Sequence, residues 1–146
     1  MGQGGLFSVT QIASSGLAAE RLRMEVAANN IANANSTRTA DGTPYRRQQV
    51  VFSAAMQNAM GKSVDDDHLT GVVIEGVQDD MSELPRLHAP GHAHADAEGY
   101  VTLPNVKLPT EMVDMMTAAR AYEANLKSIQ IFRNMTEQSL SLLKGS

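Results

Sequence analysis

Glu111-Met112-Val113-Asp114-Met115-Met116-Thr117-Ala118-Ala119-Arg120-Ala121-Tyr122-Glu123-Ala124-Asn125-Leu126 is the stretch that decides the fold. Met112, Met115, Ala119, Tyr122 and Leu126 recur at alternating spacings of three and four, which predicts a helix with a heptad-type apolar seam. The count runs on through Ile129, meets polar residues at Arg133 and Thr136 flanked by Phe132 and Met135, and resumes at Leu140 and Leu143. Pro109 closes an extended stretch and Thr110 is the expected N-cap. Glu111 and Asp114 then lie in the first turn, where the helix dipole favours acids. Gly145 supplies a stop. At 1.5 Å per residue the helix is about 50 Å long.

The other end of the chain answers it. Leu6, Ala13, Leu17, Met24, Ala27, Ile31 and Ala34 follow one three-four register, broken at Thr10 and Glu20, and Ile12, Ala19 and Val26 widen the stripe. This second helix has a comparable length, about 42 Å. All five prolines, at positions 44, 85, 90, 104 and 109, fall between the two helices. Proline breaks helix interiors, so both ends are free to be long helices. They are expected to pack together, antiparallel if the middle doubles back.

Between them the pattern changes to β-strand and loop. Gln49-Val50-Val51-Phe52 and residues 71–77 are β-branched runs bounded by turn formers, and Tyr100-Val101-Thr102-Leu103 is a third candidate strand. Asp41-Gly42-Thr43-Pro44 is turn chemistry, with Gly free to take positive φ and Pro fixing its own. The run Asp65-Asp66-Asp67 reads as a solvated loop. The expected fold is mainly α with a small β insert: a helix in 1–37, a β-hairpin and loop domain in 38–109, and a helix in 110–146, the two helices paired in a coiled-coil-like bundle.

Composition agrees. Of 146 residues 42% are hydrophobic but only 4% aromatic, with no Trp. Large rings supply much of a thick core, so long helices packed through Ala, Met and Leu suit this chain better. There is no cysteine, which rules out disulfides and thiolate metal sites. The N-terminal residues have no basic region followed by an apolar run, and no stretch approaches the length that spans a bilayer. Residues 1–37 and 110–146 each have a formal charge of zero, so the net −4 lies in 38–109. Neutral ends can crowd against copies of themselves while an acidic middle stays soluble. The lack of a basic stripe argues against nucleic acid as a partner, and the helices lack the Lys/Arg-rich polar face of a membrane-surface helix.

Four segments carry a resemblance. Asn29-Asn30-Ile31-Ala32-Asn33-Ala34-Asn35 resembles the A-N-N-[IL]-A-N signature of bacterial flagellar basal-body rod proteins. Gly42-Thr43-Pro44-Tyr45-Arg46-Arg47 with Val50-Val51-Phe52 is similar to the proximal-rod members of that family. Asp96-Ala97-Glu98-Gly99-Tyr100-Val101-Thr102-Leu103-Pro104-Asn105-Val106 resembles their D-A-x-G-Y-V-x-x-P-N-V. The stretch 111–125 resembles their E-M-V-D-M … A-R-A-Y-E-A-N helix. The four occur in the family's order and span almost the whole chain. Residues 84–94 depart from it, lacking the aromatic and acidic positions of the family's P-x-R-x-V-Y-D-P-x-H-P loop.

The resemblance implies paired terminal helices around a small β domain, helical stacking of many subunits about a channel, and transmission of torque through packed helices. It implies export by the flagellar type III apparatus without a cleaved signal peptide, placement in the basal-body rod across the periplasm, and contacts with itself, other rod proteins and the adaptor at the rod base. It names no cofactor. The expected assembly interface comprises Leu17, Met24, Asn30, Ile31, Asn33, Tyr45 and Arg46 on the N-terminal side. On the C-terminal side it comprises Met112, Met115, Ala119, Tyr122, Asn125, Leu126, Ile129, Leu140 and Leu143.

Blander readings stand beside these. His88, His92 and His94, with His68 and Asp96, contain metal-binding side chains, yet a Gly/Pro/Ala loop lacks the fixed geometry a site needs. The asparagine cluster can cap a helix through left-handed residues or bond to neighbouring subunits. Arg46 and Arg47 either meet acidic partners or solvate the start of a strand. No Ser/His/Asp, paired-carboxylate or phosphate-cradling arrangement stands out, so an enzyme is not expected. The alternatives are another rod or hook-proximal axial protein, or a soluble helical binding module.

Overall fold

The computed structural model describes residues 3–54 and 71–144, with side chains described for 10–52 and 71–142. The acidic run 65–67, His68 and the rest of 55–70 lie outside the described residues, as do the side chains of Leu6 and Leu143. In chain order the elements are α1 (Gln3–Ala32), β1 (Gln48–Ala54), β2 (Val72–Asp79), β3 (Arg86–His88), β4 (Tyr100–Thr102) and α2 (Leu108–Lys144). Two long helices thus bracket a small β region, as the proline distribution predicts.

The helices pack antiparallel. Asn30 faces Glu111 through a hydrogen bond, and a Cβ at Gly16 would lie 2.9 Å from the Asn125 amide. Fourteen residues back along α1 therefore correspond to fourteen forward along α2. Between these points the deeply buried residues are small or medium: Ala19, Val26 and Ala27 on α1 and Ala118 on α2. Small side chains let the helices approach closely, and they leave the large apolar residues elsewhere.

That preference corrects the expected seam. The inward face of α2 runs Glu111, Met115, Ala118, Tyr122, Asn125, Ile129, Phe132 and Thr136. Met115, Tyr122 and Ile129 sit where the heptad count puts them. Met112, Leu126 and Leu140, however, are exposed, and their neighbours Glu111 and Asn125 turn inward instead. Hydrophobic periodicity registers an apolar stripe, but close approach and internal hydrogen bonding decide which stripe faces α1.

Helix ends differ from expectation too. The first α2 bond runs from Glu111 N–H to the Lys107 carbonyl at 3.1 Å, so Pro109 lies in the first turn, where its missing N–H has no intrahelical partner to lose. Thr110 is then inside the helix, not its cap. At the end of α1, no non-glycine residue takes positive φ among the described residues. The chain leaves instead through tight turns, and Asn33 Nδ2 donates to the Asn29 carbonyl at 3.0 Å, a side-chain substitute for a left-handed cap.

β1 and β2 pair antiparallel from Gln48↔Asp79 to Ala54↔Val72, skipping Glu75 in a bulge between Val51↔Gly76 and Phe52↔Ile74. The sheet lies on α1: Val72 N–H donates to Ser15 Oγ at 3.1 Å, and that hydroxyl donates to the Ile12 carbonyl. β3, in a segment that reads as loop, pairs antiparallel with β4 through Leu87↔Val101. It escapes a sequence reading because it is three residues long and exposed throughout. Gly42 adopts φ +80° in the turn predicted for it, with Gly42 N–H donating to the Thr39 carbonyl at 2.9 Å.

Candidate functional site

The strongest chemical concentration lies where α1 ends, α2 begins and β1 starts. Asn30 uses the full capacity of its amide there. Nδ2 donates to the Gln48 carbonyl and to Glu111 Oε2, each at 2.8 Å, while Oδ1 accepts from Gln48 N–H at 2.8 Å and from the Tyr45 hydroxyl at 2.9 Å. Asn30 and Glu111 are each 1% exposed. A buried polar group is tolerable only when bonded in this way.

Arg47 neutralises the buried carboxylate. Its Nε lies 2.6 Å from Glu111 Oε1, with Asp114 at 3.4 Å and Asp80 at 3.8 Å around the same guanidinium. The Glu111 hydrogen bond strengthens Arg47's hold on its proton, reinforced by the nearby carboxylates against the cost of burial. Burial pushes the Tyr45 phenol above its ordinary value, and the Asp79 and Glu111 carboxylates push the same way. Tyr45 is thus a neutral donor to Asn30.

A second ring of contacts ties in the rest of the β region. Arg47 N–H donates to Asn105 Oδ1 at 2.7 Å, and Asn105 Nδ2 reaches the Asp80 carbonyl and Ser82 Oγ. Arg46 donates to the carbonyls of Asp80 and Ser82. Asp80 is held below the usual carboxylate range, chiefly by the Ser82 backbone N–H and then by its hydroxyl. Each of these polar groups bonds another protein group, so the junction is built to hold elements at fixed angles.

The expected interface residues divide into three sets. Asn30 and Tyr45 are buried inside this junction, so their hydrogen bonds serve the chain's own packing. Leu17, Met24, Ile31, Asn33, Arg46, Met115, Ala119, Tyr122, Asn125 and Ile129 are half-buried along the helix pair and its base. Met112 and Leu126 are exposed on the outside of α2, where Met116, Ile131 and Met135 are exposed too, while Leu140 is exposed near the end of the inward row. Arg47, Glu111 and Asn105 were not expected as site residues. The Arg46-Arg47 pair did read as a possible partner for acids, but the acids it meets lie on α2 and after β2, and only the fold brings them together.

The histidines serve locally. His88 packs edge-on against Tyr100, and His94 meets Thr37. Among the described residues no three His, Asp or Glu side chains gather as a metal site would require. No helix among them is long and apolar enough to cross a membrane.

Comparison with known proteins identifies the architecture. Residues 11–38 match the family described as flagella basal body rod protein, and residues 97–142 match the C-terminal family of the flagellar basal body rod FlgEFG proteins. The flagellar basal-body rod protein FlgC of Borreliella burgdorferi is 42% identical, over 97% of this chain and 99% of its own length. FlgC of Salmonella typhimurium is 40% identical over 94% of this chain and 97% of its own. FlgC of Aquifex aeolicus is 34% identical over 95% and 98%. The two family-matched segments contain most of both helices, with Asn30, Asn105 and Glu111 of the junction, and at 34–42% identity over nearly the full length the chain belongs to the FlgC family of flagellar basal-body rod proteins.

Proposed function

We propose that this chain serves as a structural subunit of the flagellar rod by building intersubunit walls from the outward face of α2. The observation that carries the reading is the division of α2 into two faces. Its inner face holds α1 through Ala118, Glu111 and Asn125, while Met112, Met116, Leu126, Ile131 and Met135 stay exposed. Apolar area removed from water is worth about 25 cal/mol per Å², so covering this row favours association over the free chain. Neighbouring copies and other rod proteins would meet it through coiled-coil-like packing.

Under this reading residues 1–37 and 110–146 form the rod core and 38–109 the outer domain. The Asn30–Glu111–Arg47 junction gives the load path between them, and torque passes through helices that resist shear because each is braced twice. The adaptor at the rod base and the flagellar type III export apparatus are the further partners, and the periplasmic part of the basal body is the place of work. Imaging basal bodies from a strain deleted for the gene tests this. Rods should be missing or truncated and restored by the intact gene; complete rods in the deletion would end the reading.

A further inference from the structure

Residues 89–99, which connect β3 to β4, carry two hydrogen-bonded histidines, and the bond to one of them imposes a protonation state. His94 N–H donates to Nδ1 of His92 at 3.1 Å. Nδ1 of His94 lies 2.9 Å from Thr37 Oγ1, in the loop that follows α1. The two rings stand edge to face with centroids 5.4 Å apart.

A backbone N–H can only donate, so Nδ1 of His92 accepts, and the ring is neutral with its proton on Nε2. A second proton would set one N–H against another. The Thr37 hydroxyl is different, because it can donate or accept and so tolerates either form of His94. The charged residues about the loop are Arg38, Arg86, Asp96 and Glu98. Arg38 and Asp96 line one pocket with His94. Asp96 is already paired with Arg86 and accepts from the N–H groups of Glu98 and Tyr100. His88, on β3, is packed against Tyr100.

We propose that residues 89–99 form a proton-operated latch. Neutral His92 fixes the backbone of His94, and His94 in turn holds the tip of the β3–β4 hairpin to Thr37. Protonation of His92 breaks the first bond and frees the tip, changing the surface the β region presents. This inference stands apart from the rod reading, since it concerns the isolated chain.

The test is nitrogen-resolved NMR on the full-length labelled protein. At pH 8 the His92 ring should show the Nε2–H tautomer. On titration to pH 5, the Thr37 and His94 amide resonances should move together with that ring. Exchange protection of the His94 amide, corrected for intrinsic rates, should fall roughly tenfold, the scale of one lost hydrogen bond. His92→Phe should show the low protection at both pH values, while Leu103, whose amide bonds the Pro85 carbonyl, stays protected in the parent and the variant. An Nδ1–H tautomer at pH 8, protection that does not change with pH, or full protection in His92→Phe would each overturn the latch.

Discussion

Asn30 and Glu111 meet side chain to side chain at 2.8 Å, one at the end of α1 and the other in the first turn of α2. The same carboxylate takes Arg47 on its other oxygen. Two helix ends and the first strand are thereby locked through one buried amide and one buried ion pair. The relationship explains why a chain with so few buried large side chains holds a defined angle between its helices and its β region.

Removing the amide should be costly. Asn30→Ala strands the Tyr45 hydroxyl, the Gln48 backbone and one Glu111 oxygen. At about 1–3 kcal/mol per buried group left unsatisfied, a loss of roughly 3 kcal/mol or more is expected, read from urea midpoints at constant slope. Asn30→Asp should be worse at pH 7 and partly recover toward pH 5. Two carboxylates sharing one site raise a pKa, so protonation relieves the variant as pH falls.

Breaking the ion pair from one side should cost about 2–4 kcal/mol, somewhat below the range for fully buried pairs because Arg47 is partly exposed. Arg47→Met leaves Glu111 charged and uncompensated. The double variant Arg47→Met with Glu111→Gln should recover part of that loss, giving a coupling energy well above zero in a double-mutant cycle. Arg46→Met, which loses only bonds to carbonyls near the surface, should cost less than Arg47→Met.

Much of this was legible in sequence and some of it was not. The two helices follow from where proline is absent, and the strands around Val50, Val73 and Val101 from β-branched runs. The Asn29–Asn35 signature marked the right place, and Asn33 does cap the helix end, but Asn30 points inward to a partner 81 residues away. No local pattern encodes such a pairing. The misplacement of Met112 and Leu126 in the helix seam has a related cause, since periodicity cannot distinguish a stripe that faces α1 from one left exposed.

Acid should loosen the β region first. Asp80 and Asp96 are both held below the usual carboxylate range, by N–H donors from Ser82 and from Tyr100 respectively. A depressed folded value means their contribution is complete above the unfolded pKa of about 3.9 and disappears as pH falls through the lower folded value. Asp80→Asn and Asp96→Asn should therefore flatten the fall of the unfolding midpoint below about pH 4. Tyr45, raised by burial, acts at the other extreme: its contribution persists below about pH 10 and is lost as pH climbs through the higher folded value.

The central claim is that α2 keeps one face for its own chain and another for its neighbours, and Leu126→Asp tests it most directly. Leu126 is 41% exposed, so the purified variant should keep the parent's circular dichroism and unfolding midpoint within about 0.5 kcal/mol, as surface substitutions do. In cells it should abolish rod assembly and swimming at normal protein level. Ala118→Asp, at a position with 0% exposure, should instead unfold the isolated chain. Normal swimming and intact rods with Leu126→Asp would contradict the account.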